Sequence, residues 1–195
     1  MIAEDCTVEG VSTHSRGQKD GATYTFECSK GDAHIIDEIS VFRYETYSCE
    51  DKSTLFPTRK IVDEYDEKAV HFIARKEGNI VGTLRARFST NVQLEASSYI
   101  DLSLLTDNYR IAEVSKLIVK TGNISPTVTA RLFNYAKQYG KKENIQYIVI
   151  FFHALDSKQV YFRKMGFQVG TNEFVYENHS GPFGGLVHKM GIMQL

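Results

Sequence analysis

The chain has 195 residues, 42% hydrophobic and 24% charged, with 23 basic against 24 acidic side chains. That length suits one domain that buries about 70% of its unfolded surface without disulfide or metal staples, and the composition excludes disordered, collagenous and low-complexity chains. A formal charge of −1 removes the broad positive field of a dedicated nucleic-acid binder. No apolar run approaches the ~20 residues of a membrane-spanning helix, and the acidic start MIAEDCTVEG is unlike a signal peptide, so a soluble, cytoplasmic protein is expected. Cys6, Cys28 and Cys49 form no C-x-x-C pair and read as free thiols in a reducing compartment.

In chain order, residues 1–21 read as a polar arm and 22–195 as a single domain. Ala22–Cys28 alternates β-branched and aromatic residues, a strand signal. Asp32 is placed to cap a helix over about 33–48, whose apolar stripe is Ile35, Ile36, Ile39, Phe42 and Tyr47. A polar loop ends at Phe56-Pro57, followed by the acidic cluster Asp63-Glu64-Tyr65-Asp66. Val70–Arg75 and Asn79–Phe88 predict an antiparallel hairpin across the turn at Lys76-Glu77-Gly78. After a connector over Asp101–Asn108, Arg110–Lys120 reads as a strand with Glu113, Ser115 and Lys116 interleaved.

Ser125-Pro126 is a helix start, with a hydroxyl cap and proline in the first turn, and Gly140 is the expected end. Gln146–Phe152 is apolar throughout, as in a strand covered on both faces. A helix from Asp156 to Lys164, closed by Gly166, precedes expected strands at Phe167–Gly170, Glu173–Glu177 and Leu186–Met193. The sum is a mixed α/β layer without internal repeat.

No dinucleotide, P-loop, nucleophile-elbow or zincin motif is present. The histidines at 14, 34, 71, 153, 179 and 188 lack metal-ligand spacing and read as surface or loop residues; no metal is expected. The Gly-rich stretch Ser180–Gly185 reads as a hairpin loop. Polar residues inside strands carry more information: Arg85, then Glu113, Ser115 and Lys116. Strand charges need partners when buried, so they mark either a polar cleft or a solvated sheet face. By period two Glu113 and Ser115 share a face, and Lys116 joins them only if the strand bulges.

Taken together, Phe42-Arg43-Tyr44-Glu45-Thr46-Tyr47, Asp63-x-x-Asp66, Gly82-Thr83-Leu84-Arg85 and Glu113-x-x-Lys116 resemble the autoinducer (acyl-homoserine-lactone) synthases and the related long-chain N-acyl amino acid synthases, branches of the GNAT acyltransferase superfamily. The resemblance covers about residues 22–170. It implies a GNAT-like three-layer α/β/α fold around a central mixed, mostly antiparallel sheet. It also implies an enzyme that moves an acyl group from a thioester to an amine. Lysine replaces the family's arginine at Lys116, losing the bidentate fork.

On that resemblance, Glu113 is the candidate base and the strand backbone around Leu117 and Val119 the oxyanion donor. Arg43, Asp63, Asp66, Arg85, Ser115 and Lys116 are the expected acceptor-binding residues. Lys120, Gly122 and Asn123 stand where a GNAT grips the donor pyrophosphate. This reduced loop, Lys120–Ser125, suits an acyl-carrier-protein donor over coenzyme A, with no permanently bound cofactor. Phe152 and Phe162 either line an acyl tunnel or fill the core. Phe162 also occupies the position where many GNAT enzymes carry a tyrosine acid, with Tyr161 one step away. The basic run Arg131, Lys137, Lys141 and Lys142 either docks an acidic carrier protein or is a solvated helix face. A small amine or amino acid is the expected acceptor. An acetyl-coenzyme-A-dependent N-acetyltransferase and a non-catalytic thioester-binding domain are the alternatives.

Overall fold

The computed structural model of the chain describes residues 24–47, 52–89, 94–98, 101–102, 109–120, 125–154, 159–175 and 186–195. The expected arm, Gly122, Asn123, Asp156 and the loop Ser180–Gly185 lie outside them. Strands β1 (Tyr24–Lys30), β2 (Val70–Lys76), β3 (Asn79–Phe88), β4 (Ile111–Val119), β5 (Tyr147–His153), β6 (Gln168–Val175) and β7 (Val187–Gln194) alternate with helices α1 (Ala33–Thr46), α2 (Lys52–Leu55), α3 (Ser125–Lys142) and α4 (Gln159–Lys164). The strand order is β1-β2-β3-β4-β5-β7-β6. β4 runs parallel to β5, while the β1–β2, β2–β3, β5–β7 and β6–β7 pairs are antiparallel. No described helix is long and apolar enough to cross a membrane. The described residues fall into two compact units interleaved in sequence: the chain to Ala86 with Lys116–Tyr139, and Arg87–Ser115 with Gly140–Leu195.

In the first unit, Asp32 caps α1 as expected, its carboxylate accepting from His34 N at 2.9 Å and Ile35 N at 3.2 Å. The hairpin turn carries positive φ at Glu77 (52°) and Gly78 (82°), the twist that joins antiparallel strands through two residues. The ladder pairs Lys76 with Asn79 and Arg75 with Ile80, then slips one residue so that Ala74 faces Gly82 and His71 faces Arg85. Val81 is the extra residue of this bulge, and it reverses which face the following side chains take. Ile80, paired with Arg75 before the slip, and Ile73 pack under Ile39 and Phe42 of α1.

The other face of β2 and β3 meets α3. Phe72 makes edge-on contacts with Tyr135 and Tyr139, ring centres 5.5 and 5.6 Å apart. A Cβ at Gly82 would stand 2.8 Å from Val128 Cγ1 and 3.2 Å from Leu132 Cδ1, so glycine is what lets α3 settle this closely. Helices thus cover both faces of this part of the sheet.

In the second unit, Val149 of β5 joins Leu94, Ala96, Leu102 and Ile111 in a core. On its partner face Phe152 stacks on Phe162 of α4 at 5.1 Å, and Phe162 meets Phe167 at 6.0 Å. Gly166 (φ 99°) closes α4, with Phe167 N donating to Phe162 O at 3.1 Å and Gly166 N to Arg163 O at 3.0 Å, the paired bonds of a left-handed helix cap.

Three expectations change. α3 continues through Gly140 to Lys142, because its cap is Asn144 (φ 54°), with Ile145 N donating to Gly140 O at 2.8 Å. Gly140 instead gives room to Leu195, whose Cδ1 would lie 3.0 Å from a Cβ there. The segments expected as two strands at Phe167–Gly170 and Glu173–Glu177 form the single strand β6, its pairing with β7 shifting register between Val169 and Glu173. The polar loop after α1 contains the short helix α2.

Candidate active site

In the first unit, the α1-facing side of β2 and β3 presents His71 and Arg85 as direct cross-strand neighbours. α1 adds Arg43, and the turn before β2 adds Asp63 and Asp66. All of Arg43, Asp66, His71 and Arg85 are essentially sealed from solvent. A buried guanidinium demands a counter-ion, and Asp66 supplies it. Arg43 Nη1 donates to Asp66 Oδ1 at 2.9 Å and to Ile61 O at 3.4 Å, and Arg85 Nη1 donates to the same carboxylate oxygen at 3.3 Å. Asp66 Oδ2 in turn accepts Asp63 N–H at 2.9 Å, so one carboxylate anchors two arginines and the turn that carries its neighbour.

The network continues outward. Arg85 Nη1 donates to Asp63 Oδ1 at 2.5 Å, and Lys116 Nζ stands 3.2 Å from Asp63 Oδ2. The Asp63 and Lys116 side chains keep 28% and 18% exposure, whereas Arg43 and Arg85 keep about 1%. Asp63 and Lys116 are therefore the partly solvent-exposed members of the network. Lys116 reaches this position because its backbone lies in the left-handed region, φ 50°, an uncommon conformation for a side-chain-bearing residue. The irregularity that would bring Lys116 across the strand is thus present.

Burial works against ionisation of Asp63, but Arg85 and Lys116 more than offset it and hold the carboxyl down at about 2. Asp66 is likewise lowered, with burial opposed by Arg43 and then Arg85. His71, expected at the surface, is buried inside the network. Burial and then the Arg43 charge push it down to about 4, so the ring is neutral at physiological pH.

The second unit holds Glu113. Its Oε2 accepts Ala96 N–H at 2.8 Å and its Oε1 lies 3.8 Å from Arg87 Nη1, both side chains being buried. Arg87 was not singled out from the sequence, although its spacing of two from Arg85 on a strand is a readable signal. Ser115 is half-buried, and the parallel β4–β5 ladder ends one residue before it, at Val114 facing Ile150. Leu117 and Val119 lie past that last pair. Phe152 and Phe162 stack as core. Burial raises the Tyr161 hydroxyl above its ordinary value.

Lys120 N donates to Val81 O at 2.9 Å, and its Nζ sits 6.0 Å from the centre of the Phe42 ring. It borders a cavity of about 410 Å³ whose lining includes Phe42, Ile80, Asp37 and Glu45. In the basic run, the Arg131 guanidinium covers the Phe26 ring at 5.7 Å, and Lys141 and Lys142 occupy the last turn of α3, where the helix dipole favours cations. Among the described residues no three His, Cys, Asp or Glu side chains gather as a metal site.

Comparison with known proteins accords with this architecture. FeeM, an N-acyl amino acid synthase from uncultured soil microbes, superposes with a TM-score of 0.58 at 13% identity, covering 89% of this chain and 91% of that one. The AHL synthase LasI gives 0.59 at 13% identity, with 89% and 91% covered. A probable acetyltransferase from Staphylococcus epidermidis ATCC 12228 gives 0.58 at 14%, with 87% and 99% covered. At such identities these likenesses establish the GNAT-like fold. No curated protein matches. The sequence pattern of the N-acyl amino acid synthase FeeM family matches residues 38–186, a span running from within α1 to the edge of β7. On that match the chain belongs to the FeeM N-acyl amino acid synthase family and is an N-acyltransferase with a GNAT-like fold.

Proposed function

We propose that the protein transfers a long-chain acyl group from an acyl-carrier-protein or coenzyme A thioester to the amine of an amino acid or a closely related small molecule. The observation that carries the acceptor class is the Asp63–Lys116 pair, a carboxylate and an ammonium 3.2 Å apart at the reachable end of a buried charge network. An amino acid offers the complementary pair, its amine toward Asp63 and its carboxylate toward Lys116. Arg43, Arg85 and Asp66 hold that pair in place from beneath and do not grip the acceptor themselves.

The reaction is aminolysis. The neutral amine attacks the thioester carbonyl, a C–N bond forms, and the developing oxyanion is met by backbone N–H groups of β4 around Leu117 and Val119. Glu113 takes the amine proton, directly or through water. The C–S bond then breaks, and the departing thiolate leaves with the carrier or coenzyme. A carrier protein is the favoured donor, because Lys120–Ser125 keeps a single glycine, Gly122, of the loop with which a GNAT wraps a diphosphate, and a carrier's pantetheine arm has no nucleotide diphosphate.

The purified protein, incubated with long-chain acyl-carrier protein, acetyl-coenzyme A and pooled amino acids, is expected to form N-acyl amino acids from the carrier donor, identified by mass spectrometry. Acetylated products alone would make it an ordinary acetyltransferase, and no product from either donor would overturn the reading. A Glu113→Gln variant with full rate would remove Glu113 from the proton-transfer role.

A further inference from the structure

We propose that His71 is a positioning residue for the acceptor end of this site, acting as a neutral hydrogen-bond bridge between α1 and the Asp63–Asp66 turn. The inference rests on the reading of Asp63 and Lys116 as the acceptor-facing pair. His71 Nδ1 lies 3.3 Å from Arg43 Nη2 and Nε2 lies 2.9 Å from the main-chain oxygen of Asp66. A guanidinium only donates and a carbonyl only accepts, so one tautomer satisfies both contacts: a lone pair on Nδ1 and a proton on Nε2. In that state the ring fixes Arg43 from one side and the backbone of Asp66 from the other.

The consequence reaches the exposed pair through three links. Asp66 Oδ2 receives Asp63 N–H, Asp63 Oδ1 receives Tyr65 N–H at 3.0 Å, and Arg85 bridges both carboxylates. The turn carrying Asp63 is therefore held at its end by the imidazole. The Asp66 carboxylate approaches Nε2 only to 3.8 Å, which leaves the carbonyl as the partner of that proton. A protonated ring would turn a donor toward Arg43, and burial with the adjacent guanidinium disfavours that form.

Three measurements test this. The imidazole ¹⁵N shifts of the wild-type protein must show a neutral Nε2–H ring at neutral pH; an Nδ1–H or protonated ring overturns the proposal without any variant. Next, carboxyl NMR titration follows Asp63 in His71→Leu and His71→Gln, the glutamine amide offering one acceptor and one donor. Leucine is expected to raise the Asp63 midpoint by about one unit and glutamine to restore most of it. A folded leucine variant in which Asp63 titrates as in wild type overturns the proposal. Finally, KM for the amino acid acylated by wild type should rise about tenfold in His71→Leu, with KM for the acyl donor unchanged and recovery in His71→Gln. Equal changes in both KM values overturn it. If wild type forms no N-acyl product, the proposed function fails, and the Asp63 titration still decides the role of His71.

Discussion

At the scale of single residues, Asp66 is the group on which the charge network turns. Its carboxylate is shared by Arg43, Arg85 and the Asp63 N–H, and removing one partner from a buried ion network leaves uncompensated charge. Asp66→Asn is expected to cost about 3–5 kcal/mol in urea unfolding, whereas Asp63→Asn, partly solvated, should cost less stability and lose more N-acyl transfer. Equal stability losses would show that the two aspartates are not layered as described. Arg43, Asp63, Asp66, Arg85 and Lys116 were legible in the sequence because their order and spacing carry the family pattern. His71 was not. An unbroken ladder from Lys76 opposite Asn79 would set His71 against Leu84, and the slip at Val81 moves it to Arg85. β3 is buried on both faces past Asn79, so its apolar pattern has no alternation whose phase a bulge could shift, and the sequence could not announce the pairing.

At the scale of elements, the seat of α3 on β3 depends on the absence of a side chain at Gly82. Gly82→Ala would bring a methyl group within 2.8 Å of Val128 Cγ1 and 3.3 Å of Val119 Cγ2. A loss of about 1–3 kcal/mol is expected from such overpacking, recovered in part by adding Val128→Ala. Urea midpoints of the single and double variants measure it; independent, additive losses would place the strain elsewhere. Most elements were readable, since the hairpin, β4, β5 and α3 announce themselves by alternation, an apolar run, or a Ser-Pro start. Gly140 misled because glycine within a helix can mark either a cap or a close contact, and only the fold brings Leu195 against it.

At the scale of the whole molecule, acid stability should fall in two stages. His71 is held at about 4 in the fold against 6.5 ordinarily, so between those values the unfolded chain binds the extra proton and stability declines as pH falls, by about 3 kcal/mol in all. Asp63, held at about 2 against 3.8, binds its proton first in the unfolded chain too, so its contribution is present above 3.8 and is lost below it. Urea midpoints across this range should show both stages in wild type and only the lower one in His71→Gln; a flat response between 6.5 and 4 would contradict a buried neutral imidazole. A formal net charge of −1 says nothing of how charge is apportioned locally. Lys116 holds its ammonium at the partly exposed end of the network, 3.2 Å from Asp63 Oδ2, where a substrate carboxylate can pair with it in turn. An amino acid should therefore be acylated with higher kcat/KM than the simple amine left by its decarboxylation, and Lys116→Met should erase that preference while leaving the amine's own rate nearly unchanged.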